Sequence, residues 1–206
     1  IINPKKWFLH NKGGSYKKWY GNQELVLDFE HNGKNIKKNN PSVTFSNNKF
    51  YFKESISWSE ISTGNFVLRY FPEGFIFNIK GPSLFPESDN INYLLSLLSS
   101  KVSNKFVNMI SQTISFNAGD IKKLPIIFSK SKSTKQQIDT LTQECIDISK
   151  EEWDSRETSW DFTKNELLKH KSDSKLETAY NNYCSYWKEK FYKLHSNEEE
   201  LNRLFI

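Results

Sequence analysis

From Tyr93 to Phe106 the residues Tyr93, Leu94, Leu97, Leu98, Val102 and Phe106 recur at three- and four-residue steps. That is the period of one buried helical face, so the stretch predicts a core helix. It gives way to a β-prone piece, Thr113–Asn117, then a Gly119-Asp120 turn and the basic pair Lys122-Lys123, closed by Leu124-Pro125. The helix therefore leads into a connector that returns to β-structure.

Upstream, the first 90 residues read as short strands. Trp7-Phe8-Leu9 is stopped by Lys12-Gly13-Gly14, and Leu25, Leu27 and Phe29 alternate with polar or smaller neighbours. Asn32-Gly33 supplies a turn that tolerates positive φ. Phe50-Tyr51-Phe52, Ile56 with Trp58, Phe66–Tyr70 and the alternating Phe75, Phe77 and Ile79 follow, the last stopped by Gly81-Pro82. Such spacing predicts a curled, mainly antiparallel sheet or a partial barrel over residues 1–132.

Residues 133–206 read as helical, which makes the whole an α+β chain. Thr134 and Gln137 have capping-box spacing ahead of Ile138, Leu141, Cys145 and Ile148, with Cys145 as a small buried apolar residue. An aromatic and acidic connector, Trp153–Phe162, precedes a helix expected from Ser174 to His195. Its Leu176, Tyr180, Tyr183, Trp187 and Leu194 make a coiled-coil-like seam that wants a partner. Ser196 and Glu199 predict a second helix from Asn197, still running at Ile206. That feature, and a start at Ile1 without Met, lead us to expect a piece of something longer.

Charge divides at the same boundary. Residues 1–132 carry 18 Lys and Arg against 9 Asp and Glu, and residues 133–206 carry 11 against 15. A front of net +9 beside a tail of −4 fits a polyanion-binding module joined to a structural or protein-binding one, or else a lysine-rich solvated surface. Two cysteines and four histidines form no disulfide framework or metal set, and no apolar run approaches the roughly 20 residues of a membrane span. The expectation is a cytoplasmic chain with no membrane contact, no bound metal and no cofactor of its own.

The most informative basic cluster is Lys12–Asn22. Lys12, Lys17 and Lys18 can neutralise phosphates, and Gly13-Gly14 would let backbone amides approach an anion. Trp19 and Tyr20 offer stacking surfaces and Asn22 a base-edge contact; the alternative is a turn whose aromatics enter the core. Lys37 and Lys38, beside Lys34 near the Asn-Gly turn, read as further phosphate contacts. Ser59, Arg69 and Asn117 are candidates for base contacts, and Trp58 could wedge, stack or pack. A nuclease site built from Asp28, Glu30 and Lys34 lacks the acid-x-Lys pair on one strand that metal-dependent cleavage uses. No catalytic residues are assigned.

Several motifs occur in order along the chain. They are Lys18-Trp19-Tyr20-Gly21-Asn22, Phe52-Lys53-Glu54 with Trp58-Ser59, Gly74-Phe75-Ile76-Phe77, Gly119-Asp120-Ile121 with Leu124-Pro125, Trp153-Asp154-Ser155, Glu157–Phe162 and Asn197–Asn202. Together they resemble the C-terminal, target-recognition part of the adenine-specific DNA methyltransferases of BREX phage defence (the PglX-like family), related to fused type II restriction-modification enzymes. The pattern departs at Ser55-Ile56-Ser57-Trp58, where the family has Gly-Ile-Thr-Trp, and at Asn165–Leu168. The Asn-Pro-Pro-Tyr-type motif and the S-adenosylmethionine loop of that family are not in this sequence. The resemblance therefore implies a non-catalytic piece that recognises double-stranded DNA for a methyltransferase domain, which would bind S-adenosylmethionine and methylate adenine N6. Other defence-system proteins are implied as partners. A type I specificity-subunit fragment, or a nuclease domain, is the alternative.

Overall fold

The computed structural model describes residues 6–111 and 113–206. β1 (Trp7–Asn11) runs antiparallel to β2 (Leu25–Asp28), with Leu9 opposite Val26. The expected turn follows: His31, Asn32 and Gly33 have φ of 49°, 58° and 76° at the start of α1 (Glu30–Asn39). A Cβ on Gly33 would lie 2.5 Å from the Phe45 ring, so both backbone and packing require glycine there. Lys34, Lys37 and Lys38 consequently sit on a helix, not on a hairpin tip.

β3 (Ser55–Ser57), β4 (Arg69–Phe71), β5 (Phe75–Phe77) and β6 (Ser83–Leu84) complete two three-stranded sheets, ordered β2-β1-β5 and β4-β3-β6. The second is antiparallel; β5 joins β1 in parallel, Leu9 opposite Phe75, where an antiparallel partner was expected. Phe50-Tyr51-Phe52 is not a strand but the end of a 3-10 helix (Asn48–Phe50) and a turn. Its rings diverge: Phe50 stacks on Phe85, Tyr51 meets Phe77 edge-on and Phe52 packs against Phe8. A period of two would have put Phe50 and Phe52 on one face.

The expected single helix is broken into α2 (Ile91–Ser99) and α3 (Lys101–Ile110). Ser100 between them is extended, and its hydroxyl accepts the Ser103 backbone N–H as an N-cap. The break rotates the buried face, so Phe106 is exposed and Val107 enters the core instead. Gly119-Asp120 lies within α4 (Ala118–Ile121), a single helical turn. α5 (Lys132–Asp154) is capped by Ser131, accepting from the Thr134 N–H, three residues before the cap expected at Thr134.

After α6 (Glu166–Lys169), α7 (Leu176–Leu204) runs unbroken for 29 residues, roughly 43 Å at the α-helical rise. Ser196 starts no new helix, because Asn197 and Leu201 are buried and the Asn197 amide donates to Glu144 of α5 at 2.8 Å. The helix ends at Leu204 and does not run on to Ile206. One core cluster joins Trp19, Ile56, Trp58, Phe66 and Leu68 of the front to Ile138, Cys145, Trp153 and Leu201 of the helical part. It therefore crosses the boundary drawn at residue 132. Among the described residues no helix is long and apolar enough to cross a membrane.

Candidate nucleic-acid interface

The Lys12–Asn22 loop forms the joint between the sheets and the helices. Gly13 donates its N–H to the Asn11 side chain at 3.2 Å and Gly14 to the Ser59 hydroxyl at 3.1 Å, so neither amide points at solvent as an anion ligand. Asn22 folds back and donates to the Ser15 carbonyl at 2.8 Å. A Cβ on Gly14 would lie 2.7 Å from the Asn22 side chain, which is why the loop needs glycine where these segments touch.

The two lysines that follow are held by the acidic helices. Lys17 pairs with Glu152 of α5 at 2.8 Å and Lys18 with Glu198 of α7 at 2.9 Å. Trp19 is 2% exposed and left-handed at φ 71°; its indole N–H donates to the same Glu198 carboxylate at 2.6 Å. Its backbone is stitched to the Arg69 neighbourhood, donating to Leu68 and accepting from Tyr70. Tyr20 is buried with Lys150 above its ring, and burial pushes its hydroxyl up to about 12. Lys101 of α3 also pairs with Glu199 of α7 at 2.7 Å. Part of the charge asymmetry of the sequence is thus satisfied within the chain: basic front against acidic tail.

Arg69 is 0% exposed, which removes it from direct contact with a base in this fold. It donates to the Ser59 hydroxyl at 3.1 Å and to the Lys17 carbonyl at 3.4 Å, both neutral oxygens. Desolvation draws the guanidinium down to about 10, still charged at neutral pH. Ser59 in turn donates to the Gly14 carbonyl at 2.8 Å, so Arg69, Ser59 and Gly14 pin the loop to β4. Trp58 is buried and donates to the Phe116 carbonyl at 2.8 Å, holding the two β-prone segments together from beneath.

Of the residues singled out in the sequence, Lys17, Lys18, Trp19, Tyr20, Asn22, Trp58, Ser59 and Arg69 are therefore engaged internally. Lys12, Lys37, Lys38 and Asn117 remain exposed. Lys12 leaves β1 close to the Ser59–Glu60 segment and Lys80, since a Cβ on Gly13 would meet the Lys80 carbonyl and the Ser59 backbone. Lys37 and Lys38 lie apart from it on α1, which packs beside the edge strand β2. Asn117 opens α4, its side chain making no capping bond. Sequence reasoning gave no role to Lys80 and met Glu198 only inside the Asn197–Asn202 motif, since Glu198 lies 179 positions from the Trp19 that it holds.

Among the described residues no cluster of three His, Cys, Asp or Glu could hold a metal. Asp28, one acid of the nuclease reading, instead accepts from Asn35 and the Glu30 backbone, and these bonds hold its carboxyl below the usual range. A cavity of about 810 Å³ lies between the Lys17-Lys18 loop and α5, α6 and α7. Tyr180, Tyr183, Trp187 and Phe191 form its aromatic wall. That wall overlaps the seam read from the sequence: Tyr180 and Phe191 are exposed, Tyr183 and Trp187 are half-buried, and Leu194 packs against the core.

No protein-family model matches the chain. It is 38% identical over 217 positions to the adenine-specific methyltransferase PglX of Lacticaseibacillus casei (strain Zhang), with all of this chain and 18% of that protein aligned. With the adenine-specific methyltransferase BrxX of Escherichia coli O9:H4 (strain HS) it shares 33% identity over 202 positions, 97% of this chain and 16% of the relative. The chain thus spans less than a fifth of the length of either.

Proposed function

The chain is, along its whole length, a relative of one segment of the PglX and BrxX adenine-specific methyltransferases, and we propose that it selects the DNA target for such an enzyme. The observation that carries the reading is this end-to-end match to methyltransferases by a sequence without the Asn-Pro-Pro-Tyr motif or cofactor loop of the chemistry. Lys12, Lys37 and Lys38 take the phosphates, since they are exposed, while Lys17 and Lys18 hold the fold together. Asn117 stands free to reach a base edge. The adenine is then flipped into a methyltransferase domain that binds S-adenosylmethionine outside this chain. The open aromatic half of α7 faces that domain, and the enzyme acts in the cytoplasm with other proteins of phage defence.

The test is a salt series with duplex DNA. Each exposed lysine that meets a phosphate contributes about −0.9 to the slope of log K against log salt, so Lys12→Ala, Lys37→Ala and Lys38→Ala should each flatten it by about that much. Lys17→Ala and Lys18→Ala should lower stability and leave the slope alone. Binding that is absent, or indifferent to salt, overturns the reading.

A further inference from the structure

The chain beyond α1 returns to it through Phe45, whose ring lies where a Cβ on Gly33 would be, and meets the buried Phe29 edge-on at 5.2 Å. Tyr51 meets the same Phe29 ring edge-on at 5.8 Å. Phe29 is thus a floor and Phe45 and Tyr51 are walls of a pocket of about 320 Å³, with Phe52 also on its lining. Tyr51 is held in turn by Phe77 and Phe52 by Phe8, so the rings are fixed to the sheet. The backbone that shapes the pocket is strained. Six described residues other than glycine have positive φ, and four of them, His31, Asn32, Asn47 and Phe52, line the pocket or adjoin a residue that does. Strained backbone of this kind gathers at ligand sites, where the surrounding structure holds it in place.

A mere packing void is apolar and dry. This pocket also receives the Asn32 and Asn48 amides, the Tyr51 hydroxyl and the Lys37 ammonium, and none of these four has a hydrogen-bonding or ionic partner among the described residues. Lys37 lies 5.2 Å from the centre of the Phe45 ring, and no carboxylate lines the pocket. At the 810 Å³ cavity, by contrast, Lys17, Glu152 and Arg156 satisfy one another. Ligand pockets span about 300–1,000 Å³, so this one suits a single flat heterocycle with a short substituent. Aromatic walls take a flat ring, amides and a hydroxyl bond its edge, and an unpaired ammonium beside them takes an anion. A nucleotide supplies all three: a π-face, a donor and acceptor edge, and a phosphate. We infer that this pocket takes one unstacked nucleotide of DNA, its base against Phe45 and Tyr51 and its phosphate on Lys37. The inference rests on the DNA-recognition reading and adds to it a second extruded nucleotide, distinct from the adenine that the methyltransferase domain takes.

The 206-residue chain is titrated against three labelled duplexes of one sequence: fully paired, with one extrahelical thymidine, and with an abasic residue in its place. The wild type should bind the extrahelical thymidine about tenfold more tightly than either of the others, the size expected for stacking one base on an aromatic ring. The abasic duplex carries the same phosphates, so the gain reports the base alone. Phe45→Leu keeps an apolar side chain over Gly33 without a flat ring and should lose most of the gain. Because Phe45 also packs on Phe29, Asn32→Gly/Asn48→Ala is the second variant. Glycine accepts the φ of 58° at position 32, so this variant should keep the wild-type circular dichroism spectrum while the gain falls. Equal affinity for the thymidine and abasic duplexes, or a gain that survives in both variants, would overturn the inference. If no duplex is bound in a salt-dependent way, the DNA reading falls by itself, and thymidine monophosphate tests the pocket alone. Shifts of the Phe45 and Tyr51 ring NMR signals that Lys37→Ala abolishes would then support a free nucleotide as the ligand; no shift would overturn the nucleotide pocket as well.

Discussion

Glu198 is the residue on which the joint between the sheets and the helices turns. Its carboxylate accepts the buried Trp19 indole N–H at 2.6 Å and the Lys18 ammonium at 2.9 Å. Both side chains of the ion pair are largely shielded, at 19% and 27% exposure, so solvent screens it less than a surface pair. Glu198→Ala strands an indole donor in the core, at about 1–3 kcal/mol for a buried unsatisfied group, and removes a charge-assisted bond as well. Because the two terms share one carboxylate they do not simply add, and we expect a total of about 2–3 kcal/mol. Glu198→Gln keeps an acceptor for the indole and should cost about 1 kcal/mol. Urea denaturation reads this as a drop in midpoint with an unchanged m-value. The neighbouring Lys101–Glu199 pair, exposed at both ends, is the control and should barely move the midpoint. If Glu198→Ala behaves like Glu199→Ala, Trp19 and Lys18 are not held as described, and both return as candidates for DNA contact.

Gly21→Ala should destabilise by about 1–3 kcal/mol on the same assay, because φ is 125° and the new Cβ would sit 3.1 Å from the Trp153 ring and from Lys17. Alkaline unfolding should begin early. Burial raises the Tyr20 hydroxyl and the Cys145 thiol to about 12, so the fold favours their protonated forms. The unfolded chain releases these protons near its ordinary values, about 10 and 9. Stability is therefore intact below about pH 9 and declines as pH rises toward 12, measurable by circular dichroism against tyrosinate absorbance. Ser59→Ala should cost about 2 kcal/mol, since it leaves Arg69 and the Gly14 amide without their shared partner.

Patterns that live within a few residues were readable in the sequence. The α+β class, the positive-φ turn at Asn32-Gly33, the strands around Leu9, Val26 and Phe75, and Cys145 as a core residue all follow from local period or local backbone need. Boundaries failed where two local solutions competed. Ser100 ends one helix and caps the next inside a continuous apolar pattern, whereas Ser196 has cap-like spacing but lies in a helix held by the Asn197–Glu144 contact. Long-range partners were invisible. Nothing near Lys17-Lys18-Trp19 announces that Glu152 and Glu198 will close over it, and a basic, aromatic stretch has the same composition whether it faces phosphate or carboxylate. The pairing of 60–62 with 114–116 was hidden in the same way, though Thr113–Asn117 read as β-prone by itself.

Hydrogen–deuterium exchange of the 206-residue chain, with and without duplex DNA at low salt, tests the recognition claim most directly. The account predicts added protection at the loop around Lys12, around Asn117 and over α1, with the open half of α7 unchanged. Protection confined to α5–α7, or none anywhere while the duplex is bound, would contradict it.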